Sequence, residues 1–92
     1  MTEPGRPPFA MMNGDIVPFD DAKISIMAPG LTFAVLAFEG FRGYWNADEA
    51  QLFLFRTKEH LDRLAFSNAV IEIEGAPDAA TLEAQMLALI RR

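Results

Sequence analysis

The 92-residue chain contains no cysteine and a single histidine, His60. The first absence excludes a disulfide framework, a thiolate nucleophile and thiolate-bound zinc, and it fits a reducing compartment. The second leaves a histidine-based metal cluster without ligands, and no metal site is expected. Lysine is scarce as well: Lys23 and Lys58 are the only two, and nothing around either supplies the desolvated setting that a Schiff-base amine requires. Acids outnumber bases thirteen to eight, for a net charge of −5. Neutralising phosphates along a nucleic acid takes clustered Lys and Arg, so nucleic acid is not an expected partner. Long hydrophobic runs are missing too. The strongest, Leu31 to Phe38 (LTFAVLAF), is far too short to cross a bilayer, and no membrane association is expected. The first residues, MTEPGRPPF, carry an acid and three prolines in place of a basic stretch and an apolar run. That is not the pattern of a signal peptide, and a cytoplasmic location is expected. The glycines are scattered and form no phosphate-cradling loop.

What is present is a globular composition, 51% hydrophobic and 23% charged, with eight phenylalanines. It suits one domain with one modest core. Residues 1 to 8, rich in Pro and Gly, read as a loose lead-in, and the domain as 9 to 92. Phe9 to Phe19 reads as a hairpin about Asn13-Gly14, which supplies the positive φ angles of a type I′ turn. Pro18 cannot donate to a ladder and marks an edge or an end. Leu31 to Leu36 reads as irregular or one helical turn, Ala37 to Trp45 as a strand, and Gln51 to Phe55 (QLFLF) as its antiparallel partner. Thr57 is placed to cap a helix that carries Leu61, Leu64, Ala65 and Asn68 on one stripe. Asp78 starts a last helix with Leu82, Met86, Leu89 and Ile90 on a common face. The fold class is therefore α+β: an antiparallel sheet of hairpins with two helices packed on it.

The stretch FEGFRGYW, residues 38 to 45, is the least bland part of the chain. Strand interiors avoid glycine, so Gly40 and Gly43 point either to a bulge or to the close approach of a ligand or backbone. Glu39 and Arg42 fall on opposite faces of a regular strand, and the simpler reading is that one or both of them face solvent. His60 has no serine, cysteine or second ligand at a catalytic spacing, which favours a structural or surface role. Arg63 by spacing alone is a solvated helix-surface arginine, although a guanidinium fork also suits an anion.

Several phrases in order carry a resemblance. Asn13-Gly14, Asp21-Ala22-Lys23, Phe38-Glu39-Gly40-Phe41-Arg42-Gly43-Tyr44, Phe55-Arg56 and His60-Leu61-Asp62-Arg63-Leu64 span most of the chain. Together they resemble the amino-terminal domain of the fold-type IV pyridoxal-phosphate aminotransferases, and most of all the branched-chain amino-acid aminotransferases. The resemblance implies pyridoxal 5′-phosphate as cofactor, with Arg63 as its phosphate-binding arginine. It implies a substrate pocket shaped by Phe38, Gly40 and Phe33. At Phe33 the chain departs from the family, which has a tyrosine followed by glycine there. The implied reaction is amino transfer between leucine, isoleucine or valine and 2-oxoglutarate, in a homodimeric complete enzyme. The family keeps its Schiff-base lysine in a second domain, and Lys23 matches a different lysine. No catalytic residue is therefore expected in these 92 residues, and the chain alone is not expected to transaminate. Two other readings stand beside this one: a non-catalytic interaction domain, and another fold-type IV enzyme of the D-amino-acid aminotransferase or aminodeoxychorismate lyase type.

Overall fold

Asn13 and Gly14 form the first turn of the computed structural model, which describes residues 5–92. Their φ angles are 51° and 89°, the left-handed pair that a two-residue hairpin turn demands. Strands β1 (Phe9–Met12) and β2 (Asp15–Pro18) pair antiparallel around them, Phe9 opposite Pro18 and Met12 opposite Asp15. Pro18 ends the ladder, and a 3-10 turn over Phe19–Asp21 follows. Residues 1 to 4 of the expected lead-in lie outside the described residues. Of the rest of it, Arg6 pairs with Asp20 and stands over the Phe19 ring, 4.9 Å from its centre.

A single helical turn, α1 (Pro29–Thr32), starts two residues ahead of the stretch from Leu31 expected to be irregular or one turn of helix, and residues 33 to 36 of that stretch are irregular. Proline at its start is compatible with the helix because its missing N–H would have had no partner there. Residues 33 to 41 then run without regular structure. The second hairpin joins β3 (Arg42–Asn46) to β4 (Gln51–Phe55), with Arg42 opposite Phe55 and Asn46 opposite Gln51. The strand expected from Ala37 therefore begins only at Arg42. The reason is a shortage of partners: β4 ends at Phe55, which is already paired with Arg42, so nothing remains for residues 37 to 41 to bond. The register runs through Gly43 without a bulge. A Cβ there would come within 3.0 Å of Leu52 Cδ1, so this glycine makes room for a cross-strand leucine.

Helix α2 (Thr57–Val70) follows β4 with no loop. Arg56 makes the corner in a left-handed conformation, φ 51° and ψ 46°, which is uncommon for a residue with a side chain. Thr57 is the first helical residue and does not cap the helix, because the reversal is completed one residue earlier, at Arg56. Helix α3 (Ala79–Arg91) begins as expected: the Asp78 carboxylate accepts the Thr81 N–H at 2.8 Å.

The elements add up to the expected α+β class, with the two hairpins as separate two-stranded ladders. Helix α3 lies against α2 on one side and β1 on the other. Leu61 on α2, 4% exposed, is the one buried hydrophobic residue among those described. Leu82, Met86 and Leu89 of α3 are half-buried, whereas Ile90 is exposed. The radius of gyration is 15.0 Å, against about 12 Å for a compact domain of this length. Much of the apolar side-chain surface faces outward: Ile26, Phe33, Leu36, Phe38, Trp45 and Phe66 are all exposed.

Candidate functional site

The irregular segment ahead of β3 brings a carboxylate onto α2. The Glu39 side chain is 2% exposed, although Phe38 and Gly40 on either side of it are open. A buried carboxylate must be matched by donors, because desolvating an unpaired charge costs far more than folding can return. Both oxygens are matched. Arg63 Nε donates to Oε2 at 2.9 Å, Arg63 Nη2 donates to Oε1, and His60 Nδ1 lies 2.7 Å from the same Oε1. His60 and Arg63 stand three residues apart on α2, a spacing that puts both on one helix face. Phe41 closes the cluster, its ring meeting His60 edge-on at 5.3 Å.

The electrostatics follow from these contacts. Hydrogen bonds from Arg63, and after them from His60, hold the Glu39 carboxyl down at about 2 from an ordinary 4.5. The same contact raises Arg63, which stays a cation. An ionised carboxylate has no proton to give, so Nδ1 of His60 is the donor and carries a hydrogen. Of the five N–H groups of a guanidinium, Nε and one on Nη2 are taken by Glu39, which leaves both on Nη1 and the second on Nη2. The Arg63 side chain is 66% exposed, so those donors have room for a ligand. An open depression beside them is lined by Phe55, Arg56, Glu59, His60 and Arg63. Arg56, the left-handed corner residue, makes no ion pair among the described residues and stands 6.0 Å over Phe55.

The residues singled out from the sequence fall in three places. Arg63 lines the depression and is bound to Glu39. Phe38 and Gly40 flank Glu39, with Phe38 81% exposed and nothing within 4 Å of a Cβ built on Gly40. Phe33 ends α1, its N–H bonded to the Pro29 carbonyl and its ring exposed, and it joins no hydrogen bond or ring contact of the Glu39 cluster. Of the Glu39/Arg42 pair, one member faces solvent as expected and Glu39 turns inward. Its partner is Arg63, 24 residues on, and Arg42 stays exposed. Sequence reasoning gave Arg56 only a place in a phrase and assigned His60 no contact partner. A lone acid inside an apolar stretch was the available signal for the first pairing. The backbone turn at Arg56 had none, since arginine has no preference for it.

The depression offers guanidinium and imidazole nitrogens and one acid, and no set of three metal-ligating side chains occurs among the described residues. Likewise, among the described residues no helix is long and apolar enough to cross a membrane.

No family model matches the chain. Two curated proteins are similar to part of it. A "Probable branched-chain-amino-acid aminotransferase" of Aquifex aeolicus (strain VF5) is 48% identical over 56 residues, 61% of this chain and 18% of that protein. A protein of the same name from Synechocystis sp. is 41% identical over 61 residues, 65% of this chain and 20% of that protein. The chain is thus related, over roughly three-fifths of its length, to proteins of that name, and the match spans about a fifth of theirs.

Proposed function

We propose that this chain, a relative of the branched-chain-amino-acid aminotransferases, is the amino-terminal part of such an enzyme. In this reading it contributes an anion-holding arginine and part of a substrate wall, and it is not competent alone. The observation that carries the reading is Arg63. It is fixed from behind by a buried carboxylate and keeps three N–H groups beside an open depression. That donor set fits a phosphate monoester, whose oxygens accept several directed hydrogen bonds and prefer a planar fork. Pyridoxal 5′-phosphate, when bound, supplies the electron sink for moving an amino group. The protein's share on this side is positional: Arg63 holds the phosphate, and Gly40, with open space where a side chain would stand, lets the substrate approach. Phe38 and Phe33 present rings that suit an aliphatic amino acid such as leucine, isoleucine or valine, with 2-oxoglutarate as the other partner. The hydroxyl that Phe33 lacks takes one hydrogen bond from that wall. The complete enzyme is read as a cytoplasmic homodimer.

The exposed apolar residues support the second half of the reading. Exposed apolar side chains gathered in one segment suit an interface, and here Ile26, Leu31, Phe33, Leu36 and Phe38 lie within thirteen residues of sequence. A test mixes the purified chain with the remaining four-fifths of a curated relative, pyridoxal phosphate, leucine and 2-oxoglutarate. Neither piece alone is expected to form glutamate, the mixture is, and Arg63→Ala in this chain is expected to abolish it. A mixture in which the pieces do not associate, or one whose activity ignores Arg63→Ala, counts against the reading.

A further inference from the structure

Glu39 does more than join a loop to a helix. Its side chain is 2% exposed, it makes no ion pair with Arg56, and each of its side-chain hydrogen bonds is to one of the two basic side chains on α2 that border the depression. We propose that Glu39 is the positioning residue of an oxyanion site in this depression, setting the guanidinium plane of Arg63 and the hydrogen of His60. The proposal rests on the reading of Arg63 as a phosphate holder and names what makes that arginine effective.

Three observations support it. Arg63 is a long side chain, two-thirds exposed, and without a partner it would sample many rotamers. Binding an anion would then cost the ordering of that side chain. Two hydrogen bonds to a buried carboxylate order it beforehand, so the free N–H groups wait in one plane. The third bond sets His60: its Nδ1 hydrogen is held on Glu39, which fixes the ring and leaves Nε2 as its second polar atom. Charge balance also fits. Glu39 and Glu59 offset Arg63 and Arg56, so the site holds its ligand by directed hydrogen bonds, and affinity depends on geometry more than on net charge.

The test uses the chain itself, whose single histidine makes the ring spectrum unambiguous. Nitrogen-15 imidazole spectra at about pH 9, where an ordinary imidazole is neutral, are expected to show the Nδ1–H tautomer. The variant is Glu39→Gln. An amide has one acceptor oxygen where the carboxylate has two, so at least one of the three hydrogen bonds must go, whichever way it is turned. The probe is inorganic phosphate titrated against chloride at equal ionic strength, followed at the Arg63 Nε–H signal, which is assigned by its loss in Arg63→Lys. Phosphate is expected to shift that signal in the wild type and to bind roughly tenfold more weakly in Glu39→Gln, the loss of about one charge-assisted hydrogen bond. Circular dichroism checks that the variant is folded. If it is not, the wild-type tautomer still decides, because an Nε2–H ring overturns the proposal by itself. Equal phosphate affinity in the two folded chains also overturns it, while leaving the phosphate reading of Arg63 intact. A wild-type Arg63 that ignores phosphate sinks that reading and this proposal with it.

Discussion

Two regions of this molecule handle their side chains in opposite ways. Around α2 and α3 the chain closes on itself: Leu61 is buried, α3 meets both α2 and β1, and a carboxylate is enclosed with three hydrogen bonds. Between Ile24 and Phe38, and over much of the β3–β4 hairpin, it does not. Isoleucine, leucine, phenylalanine and tryptophan side chains are largely exposed there. Burial needs a second surface, and among the described residues it is supplied most fully on the helix side.

The contrast can be broken most forcefully at Leu61. Leu61→Ala is expected to cost about 2 to 5 kcal/mol, and toward the lower end, because the depression between α2 and α3 beside it already opens to water. Urea denaturation followed by helix signal measures it, and a loss under about 0.5 kcal/mol would mean the closed region is no core.

Acid gives the next effect. The folded Glu39 carboxyl sits at about 2 against an ordinary 4.5, so between those values the unfolded chain binds the extra proton. The stability this group contributes is complete above about 4.5 and is lost as pH falls through 2. Urea midpoints measured from pH 5 down to pH 2 are expected to fall more steeply for the wild type than for Glu39→Gln; parallel curves would show that the carboxylate is not held as described.

Helix α3 offers a smaller handle. Asp78→Ala removes the acceptor of the Thr81 N–H and is expected to lower the melting temperature by a few degrees. The smallest effect belongs to the open region. Phe38→Ser is expected to leave the melting temperature of the isolated chain unchanged while weakening its association with the remainder of a relative. If it instead destabilises the chain, the segment is packed and the comparison between the two regions fails.

Particular residues show what was legible. Asn13-Gly14 and Asp78 were readable because each acts on its own backbone within three residues. The pairing of β3 with β4 was readable as well, but its extent was not. The length of a strand depends on where its partner stops, and the partner stopped because Arg56 turned left-handed, which arginine gives no reason to expect. Arg63 stood out through its phrase, whereas the residue that holds it did not. Glu39 looked like a solvated acid, because a contact across 24 residues leaves no periodic trace.

The sequence by itself determined the α+β class, the two hairpins, the two long helices and the kinship, since those rest on local propensity and on short phrases held in order. Only the tertiary structure decided that Glu39 leaves the strand, sinks against α2 and binds His60 and Arg63 together. The reason is physical: a carboxylate is buried only where enough donors converge on it, and here they converge only once the helix has formed and the segment has folded back over it.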